Sequence, residues 1–219
     1  MKLLPEILQS AAAIQTIRRD IHAHPELSYE ENRTSDVIAA QLQTWGIAVH
    51  RGLGKTGVVG TIEGAQGKGL SIGLRADMDA LPLQENNHFH HASTHDGKMH
   101  ACGHDGHVAM LLGAAEYLSK HRDFKGTVHC IFQPAEEGGG GAREMIKDGL
   151  FDLFPCDAVF GMHNWPGLAV GEFGVTPGPM MASSNEFVIT ITGKGGHAAL
   201  PHNSADPVFA AGQMLSALQ

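Results

Sequence analysis

Apolar positions at the start of the chain recur at helical spacing: Ile7, Leu8, Ala11, Ile14, Ile17 and Ile21, with Pro5 in the first turn and Arg18 and Arg19 near the end. That pattern predicts a helix over residues 5–22. His24-Pro25-Glu26-Leu27-Ser28 breaks it, and a second helix is expected over 32–45, with Val37, Ile38 and Leu42 on one face and Gly46 as its stop. The pattern then changes to that of strands, at 48–51, 57–63 and 70–75, the last two separated by a glycine-rich turn at 64–69. Farther on, Val108, Leu111, Leu112, Ala115 and Leu118 share one side of a helix ending at Lys120, followed by a buried-type strand at 127–132, a helix at 142–148 and a strand at 157–163. Strands alternating with helices in this way indicate an α/β fold, a mostly parallel sheet with helices on both faces.

Near Thr176-Pro177-Gly178-Pro179 the pattern is interrupted by a hinge-like segment, which places a boundary between a domain at 1–180 and a second at 181–219. Residues 186–192 alternate as a half-buried strand of the new domain, followed by Gly193-Lys194-Gly195-Gly196-His197 and an apolar-faced helix from about Ala205. One strand and one helix cannot bury a core by themselves. The second domain is therefore expected to be incomplete, leaving Val208, Phe209, Met214, Leu215 and Leu218 without a second layer.

Composition narrows the function. With 219 residues, 42% of them hydrophobic, the chain can bury a proper core, and a net charge of −8 with no Lys/Arg block argues against nucleic acid and against an anionic membrane surface. A small-molecule substrate is the default expectation. The N-terminus lacks the apolar stretch of a signal peptide and no apolar run approaches a membrane span, so a cytoplasmic location is expected. Three cysteines do not make a disulfide framework. Cys130 and Cys156 read as buried small hydrophobes. Histidine is the outlier, with fifteen in all and seven between His88 and His107; His88, His90, His91 and His95 fall in a polar, aperiodic stretch and read as exposed loop residues.

The remaining chemistry centres on Met99-His100-Ala101-Cys102-Gly103-His104-Asp105-Gly106-His107. Thiolate and neutral imidazole are good donors to zinc and its first-row neighbours, and Cys102 and His104, two apart between permissive glycines, can point at one ion. Three predicted strands end in further ligand types: Asp77-x-Asp79, the pair Glu136-Glu137, and His163. Alone, the aspartates are ordinary turn chemistry and the glutamates an ordinary acidic approach to a helix. In an open α/β sheet, however, sites lie just beyond the carboxyl ends of strands. Three such ends together with the Cys/His stretch point to a metal site, in which one glutamate binds metal while its neighbour acts as a general base.

These motifs, with Gly193-Lys194-Gly195-Gly196-His197-Ala198, resemble in order and spacing the N-acyl-amino-acid amidohydrolases of the hippurate hydrolase and auxin-conjugate hydrolase type, part of the aminoacylase and carboxypeptidase superfamily of two-metal peptidases. The resemblance implies a two-metal exopeptidase-like catalytic domain followed by the start of an α+β lid and dimerisation domain. It implies two divalent ions (zinc, manganese, cobalt or nickel) held by Cys102, His104, Glu137 and His163, with Cys102 shared between them and Glu136 as the base that activates a metal-bridged water. Asp77 stands where the wider superfamily has a metal-binding His, and Asp79 where it has the Asp that orients that ligand. His197 matches a lid histidine that reaches into a partner subunit's site to stabilise the oxyanion, so a homo-oligomer, a dimer through the lid, is implied. The family's further metal-ligating His and the rest of its lid lie in a C-terminal stretch this chain does not contain. The 219 residues are thus expected to resemble the N-terminal half and to be inactive alone. The expected substrate is an N-acyl amino acid; rival readings are a dipeptidase, a deacetylase of an N-acetyl diamino acid, or a non-catalytic metal-binding protein.

Overall fold

The computed structural model describes residues 3–219, which divide into two compact units meeting at Gly171 and Glu172. In the first, helices α1 (Pro5–Ala23) and α2 (Asn32–Thr44) precede strands β1 (Ala48–Leu53), β2 (Gly57–Glu63) and β3 (Ser71–Asp77); α3 (His104–Lys120), β4 (Thr127–Gln133), α4 (Gly141–Lys147), α5 (Leu150–Leu153) and β5 (Ala158–Gly161) follow. The five strands form one sheet in the order β1-β2-β4-β3-β5.

The sheet is mixed, which corrects the expectation of a mostly parallel one. β1–β2 and β2–β4 are antiparallel, whereas β3–β4 and β3–β5 are parallel. The reason lies in the connection: β1 ends at Leu53 and β2 begins at Gly57, and a link that short allows only an antiparallel pair, since parallel neighbours need a crossover of about a dozen residues.

Helices do cover both faces. From β3 the chain crosses through α3 to β4, then reverses through α4 and α5 to reach β5 on the other side of β3. Crossovers of one hand that reverse direction must lie on opposite faces. The strands alternate accordingly. Val58, Ile62, Val128, Cys130 and Phe132 pack with Ile21, Ile38, Leu42, Val108 and Leu112 on one face, while Val59 and Ile131 pack with Leu53, Met145 and Leu150 on the other. Each such fully buried side chain contributes about 1.5–3 kcal/mol.

Several expectations need correcting at this level. α3 begins at His104, not Val108, so the second half of the Cys/His stretch is helical. β5 is exposed along its whole length, because it is an edge strand held along β3, rather than the buried-type strand its apolar run suggested. Cys156 is half-buried, with its thiol toward the Phe154 carbonyl oxygen. The helix α5 had no counterpart in the sequence reading.

The second unit contains a 3-10 turn at Pro201–Asn203 and the helix α6 (Pro207–Leu218), whose first turn is capped by the Asp206 carboxylate accepting from the Val208 amide at 2.9 Å. Residues 186–192 form no strand, despite their alternation: no described segment offers them a ladder to pair with, and an alternating stretch without one leaves its amides to water. The start of an α+β lid is accordingly not evident. No helix among the described residues is long and apolar enough to cross a membrane.

Candidate metal centre

The parallel register brings the ligand types together. Asp77 pairs with Gln133 and Arg75 with Gly161, so β3, β4 and β5 stop at one edge of the sheet, and the segments leaving them carry Asp79, Glu136 and Glu137, and His163. Cys102 and His104 arrive at the same edge from the turn into α3. Gly103, at φ +88°, makes that turn; a Cβ there would lie 2.5 Å from Asn164 Oδ1, so only glycine lets the Cys/His segment approach the β5 exit.

Three overlapping groups of donors converge, each with its atoms within 4.8 Å of one another: Cys102, His104 and His163; His104, Glu136 and Glu137; and Asp77, His104 and His107. His104 belongs to all three. Its Nδ1 lies 2.9 Å from the main-chain oxygen of Asp79, which accepts a hydrogen bond only if Nδ1 carries the proton. The lone pair is then on Nε2, which is buried and has no hydrogen-bond partner, 3.9 Å from a carboxylate oxygen of each of Glu136 and Glu137 and 3.5 Å from Asp77 Oδ2. His163 is set the same way. Its Nδ1 is 2.6 Å from the Asn164 carbonyl oxygen, and its Nε2 faces Cys102 Sγ at 3.4 Å. Carbonyl-fixed tautomers that leave the lone pair on Nε2 are what metal-ligating histidines require.

The electrostatics agree. Burial first, then Glu137, Glu136 and Asp77, push the Cys102 thiol up to about 12. Burial and the neighbouring Glu137 and Asp77 carboxylates likewise raise Glu136. For His104, burial would lower the pKa, but the contact with Asp79 and the charges of Asp77 and Glu137 prevail and raise it. Beyond the effect of burial on Cys102 and Glu136, all three register the same neighbouring carboxylates, a pocket of negative potential short of positive charge. A divalent ion would supply that charge, and thiolate, imidazole and carboxylate around an orphaned buried nitrogen suit zinc or its first-row neighbours.

Asp77 is committed elsewhere. Its Oδ1 accepts from His107 Nδ1 at 2.6 Å and its Oδ2 from Arg75 Nη1 at 2.8 Å, and Arg75 Nε donates to Gln133 Oε1 at 2.8 Å. Burial would raise Asp77, but the hydrogen bond from His107 and the Arg75 charge bring it down to about 2. His107 spends its second nitrogen as well, accepting the Asn164 amide at 3.0 Å. This His–Asp–Arg buttress was missed in the sequence, although the helical i, i+3 spacing of His104 and His107 was a signal for a shared face.

Asp79 also serves the glutamate loop, and its Oδ1 lies 3.4 Å from His104 Nδ1. Its carboxylate accepts the amides of Glu136 and Glu137, each at 3.0 Å, and the Ser28 hydroxyl at 2.8 Å, while His104 is oriented mainly by its main-chain oxygen. The preceding Ala135 sits at φ +50°, a strained conformation for a residue with a Cβ that costs on the order of 1–3 kcal/mol and persists only where the surroundings enforce it. His197 lies in the second unit, where its Nδ1 accepts the Ala199 amide at 3.1 Å. Of the loop histidines read as exposed, His88, His90 and His95 are exposed and His91 is half-buried.

Known proteins share this arrangement of segments. Hippurate hydrolase of Campylobacter jejuni is 47% identical over 222 residues, covering 100% of this chain and 57% of that protein. N-acetyl-L-cysteine deacetylase of Bacillus subtilis is 50% identical over 204 residues, covering 93% of this chain and 48% of that protein. The crystal structure of the Bacillus subtilis YXEP protein, described as a dinuclear metal binding peptidase from the M20 family, matches with a TM-score of 0.75 and 44% identity over 78% of this chain and 48% of that one. The chain thus spans about half the length of the curated relatives it matches, and these relatives bear out the resemblance to hippurate-type amidohydrolases. A family model described as peptidase family M20/M25/M40 matches residues 73–219, from mid-β3 through every donor of the metal centre. By its sequence, and by the edge of the sheet where its donors meet, the chain belongs to peptidase family M20/M25/M40.

Proposed function

We propose that this chain forms the metal-holding and proton-transferring part of a hydrolase that cleaves the amide bond of N-acyl amino acids. The observation that carries the reading is the buried, unpartnered Nε2 of His104, set by the Asp79 carbonyl and facing two glutamates, with Cys102 and His163 alongside. The names of the relatives, hippurate hydrolase and N-acetyl-L-cysteine deacetylase, support the substrate class. Cys102, His104, Glu137 and His163 would hold two divalent ions, which when bound supply Lewis acidity toward water and the acyl carbonyl. Glu136 is the more exposed of the two glutamates and its affinity for protons is raised, which suits a group that takes a proton from water and returns it to the leaving amine. Asp79 keeps both glutamates in register by holding their amides. His197 as an oxyanion donor and a homodimer as the working form belong to the same reading.

A chimera tests it, with residues 1–219 replacing the matching part of the Campylobacter jejuni hippurate hydrolase. Release of glycine from hippurate and of cysteine from N-acetylcysteine is expected. A folded chimera that holds metal and cleaves only dipeptides would replace this reading with a dipeptidase, and one that holds metal and cleaves nothing would favour a non-catalytic metal-binding protein.

A further inference from the structure

The loop that carries the glutamates is gripped from a distant part of the chain. Ala135 and Glu31 are both fully buried. Glu31 Oε1 accepts the Ala135 amide at 2.8 Å, across 104 residues of sequence, and Oε2 accepts the Thr56 hydroxyl at 2.7 Å. Two residues earlier, the Tyr29 hydroxyl donates to the Gly139 carbonyl oxygen at 2.7 Å, and Ser28 Oγ lies 3.4 Å from the Glu137 carbonyl oxygen while donating to Asp79. Residues 28–31 therefore touch the loop at Ala135, at Glu137 and at Gly139. Glu31 is also the N-cap residue of α2, but its side chain makes no capping hydrogen bond there. Its carboxylate is spent on the loop and on Thr56, not on its own helix. An ionisable group buried this deeply is costly unless paired, and its partner is the amide of the one strained, non-glycine residue next to Glu136.

We infer that Glu31 is a positioning residue: by holding the Ala135 amide it fixes the backbone turn that aims Glu136 and Glu137, and so sets metal affinity and proton transfer without touching metal or substrate. The part about metal rests on the reading in Proposed function; the part about the backbone does not. Ser28 and Tyr29 hold the rest of the turn, so residues 28–31 work as one brace.

Two readouts on the 219-residue chain test this. The first is amide exchange without metal at Ala135, Glu136 and Glu137, with β2 and β4 as internal references. The second is zinc affinity by competition with a chelator. In Glu31→Ala the Ala135 amide loses a charge-assisted partner, so exchange at these three positions is expected to rise about tenfold or more, with β2 and β4 unchanged. Zinc affinity is expected to fall about 10- to 100-fold, the usual range for losing an outer-shell partner. Glu31→Gln can still accept the Ala135 amide through Oε1 and donate to Thr56, and is expected to return both readouts to parent values. Parent exchange at Ala135 in Glu31→Ala, a uniform rise that includes β2 and β4, or a Glu31→Gln as damaging as Glu31→Ala would each overturn the inference. If Glu31→Ala does not fold, Thr56→Val decides it: this variant removes only the hydroxyl that steadies Glu31, and unchanged exchange at Ala135 would count against the brace. A parent chain that binds no zinc would sink the metal reading alone, and the exchange data would still decide the brace.

Discussion

Two clusters of imidazole and carboxylate stand one residue apart in the first unit, at His104 and at Asp105, and they spend their hydrogen bonds in opposite ways. In the second, His22 is bridged at both nitrogens, Nδ1 to Asp105 Oδ2 at 3.0 Å and Nε2 to Glu85 Oε1 at 3.2 Å, and Arg18 Nε adds a bond to Asp105 at 3.1 Å. Its charges close on one another, with only Asp105 Oδ1 buried and left without a hydrogen-bond partner in the cluster. Around His104 the second nitrogen stays open toward Glu136 and Glu137. His100 adds a control, being buried with both ring nitrogens unpartnered and lowered to about 4 by burial, yet it belongs to none of the groups of three converging donors. Neither a dense patch of histidines nor an unspent nitrogen makes a metal centre alone. An unspent nitrogen aimed at other donors does.

The largest effect that would break this contrast is on turnover. In the chimera, Glu136→Gln should keep its metal and lose roughly 10²- to 10⁴-fold in rate, the usual loss on removing a general acid or base. Loss of metal together with rate would mean that the two glutamates have exchanged roles.

Exchanging the histidines comes next. His104→Ala should lower the zinc content of the chain, measured by mass spectrometry or atomic absorption after dialysis, whereas His22→Ala should leave it unchanged. The cost of His22→Ala is expected in stability, about 1.5–3 kcal/mol for hydrogen bonds to charged groups, read from urea unfolding. Zinc lost from His22→Ala but kept in His104→Ala would reverse the assignment of the clusters.

A smaller effect depends on pH. Asp105, against the opposing effect of burial, raises His22 above its ordinary 6.5. Its contribution to stability is therefore complete below about pH 6.5 and fades as pH rises through the raised value. Burial would raise Asp105 and Glu85, but hydrogen bonds, from His22 to the one and chiefly from the Ser93 amide to the other, hold them below their ordinary 3.8 and 4.5. Their contribution is complete above those values and fades as pH falls. The gap in unfolding midpoint between the parent and His22→Ala should thus be widest between about pH 4.5 and 6.5 and narrow as pH rises through the raised value of His22; a constant gap would show that the closed cluster is not an ion network.

The smallest effect is a control on density. His88 and His90 are exposed in the polar stretch before the metal centre, so replacing either with Ala should leave zinc content alone and change stability by no more than about 0.5 kcal/mol.

What could be read in the chain follows the range of the interactions. The helices at Pro5–Ala23 and Asn32–Thr44 show in local periodicity, and their observed ends lie close to those expected. Cys102, His104, Glu136, Glu137 and His163 were legible because motif spacing and strand ends are local, and the register of β3, β4 and β5 brings them together. The alternation of helices and strands predicts a mostly parallel sheet, whereas the short link before β2 makes it mixed. Alternation at 186–192 predicts a strand, but a strand needs a neighbour, and apolar alternation says nothing about whether one exists. The His107–Asp77–Arg75 buttress left only the i, i+3 spacing of His104 and His107 as a trace, and the Glu31 contact left none. Glu31 meets Ala135 across 104 residues, and no local pattern marks a carboxylate that will serve a distant amide.

An ion is expected on the open nitrogen of His104. Crystals of the chain grown with zinc, with anomalous difference maps measured above and below the zinc edge, test it most directly. A peak is predicted about 2.0–2.1 Å from His104 Nε2, in the range of zinc–nitrogen bonds, with none at His22. Full zinc occupancy at the His22, Asp105 and Glu85 cluster, or a map empty beside His104 at saturating zinc, would contradict it.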